Sequence, residues 1–211
     1  MKKSNYILLV YFVTLVSCMD QSGARQQKNF KETRKTIVQD IRVDTLLSGG
    51  SLHNVRQLSK QLGLNSGDTG FDSLQIRVWF DHSLAYKKHL IVLEKGKKEW
   101  EGKLYVINVQ FIDTSNYNII ESFTKKKVEP ASSWKKLINE LELLKIRDLS
   151  NVSQSGVDGV VYSVEVLSND AYTYYDFWDP ESVNDTNWQA TNMVRIVDLL
   201  EREFKFESLK V

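Results

Sequence analysis

The apolar positions change period several times along the chain, and each change marks an element. Leu74, Ile76, Val78 and Phe80 alternate with Gln75, Arg77 and Trp79, the period-two pattern of a strand with one buried face. A second strand is expected over His89–Glu94, and the turn Lys95-Gly96-Lys97-Lys98 leads to a long aromatic third over Trp100–Ile112. Asp113-Thr114-Ser115-Asn116 closes that strand, and a fourth runs from Ile119 to about Lys126. Short polar turns join neighbours as hairpins, so this block reads as an antiparallel meander. Further on, Val160–Leu167 and Ala171–Trp178 form a hairpin across Ser168-Asn169-Asp170. Near the start, Ile37–Leu47 mixes β-branched with charged residues and reads as one more strand, broken by Ser48-Gly49-Gly50.

Helical spacing separates these strands. Leu52, Val55, Leu58 and Leu62 keep to one helical face, with Ser51 placed to cap the start and Gly63 where a helix ends. Pro130 stops the fourth strand and Ser132 or Ser133 can cap a second helix. Its stripe is Trp134, Leu137, Ile138, Leu141 and Leu144, with Lys135, Lys136, Glu140 and Glu142 on the other side. Pro180 plays the same part before a third helix, for which Thr186 and Gln189 form a capping box. The stripe of that helix is Ala190, Met193, Val194, Val197, Leu200 and Phe204. The expected fold class is α+β: an antiparallel sheet of about six to seven strands, a meander plus a C-terminal hairpin, with about three amphipathic helices packed on one face.

The first apolar run is of another kind. Lys2 and Lys3 precede twelve apolar residues, Tyr6–Ser17, in the manner of a secretory leader. Spanning a bilayer takes about 20 apolar residues, so the run is too short for a good anchor. Leu15-Val16-Ser17-Cys18 resembles the lipobox of bacterial lipoproteins, and Cys18 is the one cysteine in the chain. That resemblance implies a diacylglycerol on the Cys18 sulfur and cleavage after Ser17. Acyl chains contribute about 0.8 kcal/mol per buried CH₂, and two chains meet the requirement for a stable anchor. Met19 replaces the aspartate that retains enteric lipoproteins in the inner membrane, which favours the outer membrane.

Met19 to Lys35 is polar and aperiodic, and reads as a tether with a reach of roughly 20–25 Å. Arg25, Lys28, Lys31, Arg34 and Lys35 against Asp20 and Glu32 give it a net charge of +3. The expected organisation is a signal peptide over 1–17, a lipidated cysteine and tether over 18–35, and a single globular domain over 36–211.

Composition narrows the function classes. The chain is 211 residues with 42% hydrophobic and 26% charged positions, ordinary for a globular protein that needs no covalent staple. Without Lys2 and Lys3, 26 basic side chains face 27 acidic ones, which argues against a nucleic-acid partner. With no cysteine beyond Cys18, the domain has no internal disulfide, thiolate zinc site or thiol nucleophile.

Several cues recur in small uncharacterised lipoproteins of Bacteroidetes, which this chain resembles over most of its mature length. They are Arg77-Val78-Trp79, Trp100-Glu101-Gly102 with Leu104-Tyr105, and Asp158-Gly159 before Tyr162. They are packing and turn residues, so the resemblance implies an α+β lipoprotein and no activity.

The residues themselves point to no catalytic or metal chemistry. His53, His82 and His89 have no ligand spacing. Asp176, Asp179, Glu181 and Asp185 fit no calcium loop, and no nucleophile elbow is present. No cofactor is expected. The densest unusual feature is the run Tyr172, Tyr174, Tyr175, Phe177 and Trp178. On a strand, Tyr172, Tyr174 and Trp178 share a face, which is either covered by the third helix or open as a ligand-stacking platform. Arg77 with Trp79 reads as a surface cation–π pair, and Lys125-Lys126-Lys127 as a solvated edge that resists strand addition. The expected function is a non-enzymatic, membrane-anchored binding module of the cell envelope, bound to lipid through Cys18 and to a protein or glycan partner. The alternatives are a carbohydrate-binding protein using 171–178 and an envelope inhibitor or immunity-type protein.

Overall fold

The computed structural model describes residues 37–42, 49–67, 69–82, 85–112, 117–150, 159–183 and 185–208. Cys18, the leader and the tether lie outside the described residues, as do positions 43–47 of the first expected strand. Strands β1 (Val38–Arg42), β2 (Leu74–His82), β3 (Lys87–Lys95), β4 (Trp100–Ile112), β5 (Tyr117–Val128), β6 (Val160–Ser168) and β7 (Ala171–Trp178) make one seven-stranded sheet. Its order is β1-β7-β6-β2-β3-β4-β5. The helices are α1 (Gly49–Gln61), α2 (Trp134–Leu143) and α3 (Trp188–Phe204), and a short 3-10 turn covers Pro180–Ser182.

The meander β2-β3-β4-β5 and the β6-β7 hairpin pair as expected, and β6 joins the two blocks by running antiparallel to β2. The sheet is nevertheless mixed, because β1 lies parallel to β7, with Ile41 beside Tyr174. Following the pairings, β1 and β2 point the same way, so no hairpin can join them and the connection must cross a face. Helix α1 lies on that connection.

The expectation of all helices on one face is corrected by the two cores. Ile76, Val78 and Phe80 pack with Leu137 and Leu141 of α2 and with Met193, Val197 and Leu200 of α3. Trp79, Leu90, Val92, Tyr172 and Tyr174 pack instead with Val55 and Leu58 of α1. Side chains alternate sides along a strand, so these are opposite faces of one sheet. The physical reason is that β2, β3, β6 and β7 bury both faces, and two buried faces need two covers.

Local chemistry sets the helix ends. Gly63 adopts φ +67 and ends α1, with Leu64 N–H donating to the Ser59 carbonyl and Gly63 N–H to that of Lys60, a Schellman closure. Ser51 lies inside α1 rather than at its cap. Ser133 caps α2 by accepting from Lys136 N–H. The cap of α3 is Asn187, not Thr186: its Oδ1 accepts from Gln189 N–H at 2.9 Å and Ala190 N–H at 3.2 Å. Thr186 donates to the Val183 carbonyl instead, and the Gln189 side-chain Oε1 accepts from the Ser150 N–H and hydroxyl. Among the described residues, no helix is long and apolar enough to cross a membrane.

Candidate functional site

Beneath α1 the central strands carry charge where an ordinary core carries hydrocarbon. Arg77 of β2 stands opposite Glu165 of β6, and both are essentially without solvent exposure, at 0% and 1%. Their closest approach is 3.5 Å, from Arg77 Nη1 to Glu165 Oε2. The same Oε2 accepts from Trp79 Nε1 at 2.9 Å, and Oε1 accepts from the Tyr172 hydroxyl at 3.1 Å. The guanidinium completes its set by donating to Gln75 Oε1 at 2.5 Å and to the Asn65 carbonyl at 2.8 Å. Gln75 donates on to Glu94, which also receives Lys103. A chain of hydrogen bonds therefore runs across five neighbouring strands from Lys103 of β4 to Tyr172 of β7.

A second cluster, around Tyr174, reaches α1. Its hydroxyl lies 3.2 Å from both Asp176 Oδ2 and Ser163 Oγ, and 2.9 Å from Ser51 Oγ. A phenol has one proton, and the carboxylate is the strongest acceptor, so the Asp176 bond takes it and the serine hydroxyls donate inward. Burial, with the Asp176 charge beside it, pushes the Tyr174 ionisation far above the ordinary phenol value. Burial followed by Glu165 does the same to Tyr172. Both rings stay neutral at any physiological pH.

A second strip joins α1 to the sheet. Asn54 donates to Asp81, which holds Lys88, and Asn118 of β5 donates to Asn54 at 3.0 Å. Gln61 donates to the Asn118 carbonyl and accepts from Ile120 N–H. Polar contacts thus supply much of the attachment of α1, beside the buried Val55 and Leu58.

Two features singled out separately in the sequence meet here. Arg77 with Trp79 is no surface cation–π pair: both are buried, and Glu165 ties them to the aromatic hairpin. Glu165 itself was missed, although a lone glutamate within Val160–Ser168, answering a lone arginine within Leu74–His82, was readable. Tyr172 and Tyr174 are at 0% exposure, so neither ring is open to a sugar. The cover is α1 with the turn at Gly67, where an added Cβ would fall 2.7 Å from the Tyr172 ring. Helix α3 covers the other face, with Tyr175 and Phe177. Trp178 is half-buried against Gly159, away from this network, and its Nε1 has no hydrogen-bond partner among the described residues.

The expected metal and base candidates stay apart. Asp176 faces the α1 side through Tyr174, whereas Glu181 accepts from Tyr162, which belongs to the α3-side core. Among the described residues no group of three metal-ligating side chains converges. His53 is exposed on α1, near Gln57. His89 is buried beside Phe206 on the far side of the sheet, at a centroid distance of 5.6 Å. Desolvation holds His89 below the usual histidine value, Lys87 adds to the lowering and Glu201 opposes it. As pH falls through the unfolded value of about 6.5, the unfolded chain takes up the proton first, so stability is lost on the acid side. His89→Gln should therefore flatten the fall in urea midpoint between pH 7 and 5.5. An unchanged acid slope would show that His89 is not held neutral.

No family model, curated protein or solved structure matches the chain.

Proposed function

We propose that this protein is a membrane-anchored binding module of the cell envelope, held by lipid on Cys18 and acting without catalysing a reaction. The observation that carries the binding half is the sealed state of the charged layer. Arg77 meets Glu165 with both side chains buried, and Trp79 and Tyr172 donate to the same carboxylate. Catalytic groups must reach a substrate, and a buried charge pair with its own donors in place serves instead to specify one arrangement of a scaffold. The anchoring half rests on the leader and on Leu15-Val16-Ser17-Cys18.

The test is the native N-terminus. Purified wild-type protein should begin at Cys18, carry acyl mass by mass spectrometry and partition into detergent. Cys18→Ala should lose the acyl mass and leave the membrane fraction almost completely. Wild-type protein that washes free in buffer without detergent would overturn the anchor. Turnover by the purified domain on envelope substrates would overturn the non-catalytic reading.

A further inference from the structure

We propose that the groove between the β3–β4 turn and the start of α2 is a binding site for an acidic saccharide. The proposal deepens, and rests on, the reading of the domain as a binding module.

The groove has a volume of about 600 Å³, within the range of roughly 300–1,000 Å³ usual for small-ligand sites. Its apolar wall is Trp100, at the first position of β4, with Trp134 and Ile138 of α2. Lys98 and Lys135 border it, and Glu99, Ser133 and Asn139 supply hydrogen-bonding groups. Two lysines against one glutamate leave a net charge of +1. Among the described residues no side chain pairs with Lys98 or Lys135, so both charges are available to a ligand.

Trp134 is set in place before any ligand arrives. Its Nε1 donates to Glu129 Oε2 at 2.6 Å, and its ring sits 6.1 Å from that of Phe204. It also lies over Gly102 of β4, where a Cβ would come 2.8 Å from Trp134 Cη2. Only a glycine lets the indole rest this close to the strand. Ordering costs are thus met within the fold, which leaves more of the contact energy for binding.

The chemistry selects the ligand. A pyranose ring has an apolar C–H face and a hydroxylated edge, which match an indole wall bounded by polar side chains. A carboxylate on the ring answers Lys98 and Lys135 with charge-assisted hydrogen bonds. A lipid surface favours convex ground, and this site is concave and lined with hydrogen-bonding groups. The sequence directs attention to Tyr172 and Tyr174 as the aromatic platform, but those rings are fully buried, whereas Trp100 and Trp134 are half-buried and line the groove.

The test titrates full-length protein in detergent with a galacturonate tetrasaccharide and a hyaluronan tetrasaccharide, following tryptophan emission and heat. Cellotetraose is the neutral control, and phosphatidylglycerol vesicles are the lipid control. At least one acidic tetrasaccharide should bind saturably, at least tenfold more tightly than cellotetraose. Trp134→Ala should weaken it at least tenfold. Lys98→Glu with Lys135→Glu, both at exposed positions, should remove the preference for acid while cellotetraose still binds. Trp188→Ala, exposed and not part of the groove, should change nothing. Absence of saturable binding by both acidic sugars, binding that survives Trp134→Ala and the double charge reversal, or Trp134-dependent binding to vesicles alone would overturn the proposal. If the sugars fail while acylation at Cys18 and membrane retention hold, this site is wrong and the anchored-module reading stands.

Discussion

Glu165→Leu should lower the stability of the domain by about 3–5 kcal/mol, because it leaves Arg77 as an unpaired charge in a dry layer. The same change strands Trp79 Nε1 and the Tyr172 hydroxyl, which have Glu165 as their acceptor. The double variant Arg77→Met with Glu165→Leu should recover the part of the loss due to the unpaired charge, while the Trp79 Nε1 and Tyr172 hydroxyl stay without their acceptor. Urea unfolding of wild type, both single variants and the double variant measures the coupling directly. A cost below about 1 kcal/mol for Glu165→Leu is the value typical of an exposed pair, and would mean the layer is wet in solution.

Leu58→Ala should cost about 2–5 kcal/mol, the range for truncating a buried leucine. Its effect should be local before it is global. Helix α1 has Val55 and Leu58 as its buried apolar residues, and holds otherwise through Ser51, Asn54 and Gln61. Loss of Leu58 weakens that cover more than it weakens the α2–α3 face. Hydrogen exchange should speed up first in the α1 amides, and Trp79 emission should shift to the red as water reaches the layer. Uniform loss of protection across α1 and α3 would show instead that the two faces unfold as a single unit.

Element boundaries were largely legible in the sequence because each rests on local chemistry. Trp100–Ile112 and Ala171–Trp178 fall where their aromatic and β-branched runs begin and end, and Gly63 stops α1 through its own backbone freedom. The third helix is capped one residue later than expected, by Asn187 in place of Thr186. The lysine run of β5 lies at a sheet edge with exposed side chains, as its charge implies.

Which strands become neighbours was not legible. Nothing near Val38–Arg42 states that its partner is β7, more than 120 residues away, or that the pairing is parallel. The same blindness misassigned the second face of the sheet. Gln75, Arg77 and Trp79 look like a solvent side along their own strand, and become interior only because β6 brings Glu165 and β7 brings Tyr172 alongside. The aromatic hairpin misled for a related reason: the rings of a strand are visible in sequence, but their cover is contributed by a helix more than a hundred residues earlier.

By itself, then, the sequence determined most of the elements and many of their ends, which follow from residues close together along the chain. Only the tertiary structure decided which strands touch, that α1 stands on one face with α2 and α3 on the other, and that Arg77 finds Glu165 in the interior. It also decided that Trp100 and Trp134 line one groove. Backbone propensity and capping act over a few residues, whereas burial and charge pairing depend on partners that the chain brings together only by folding.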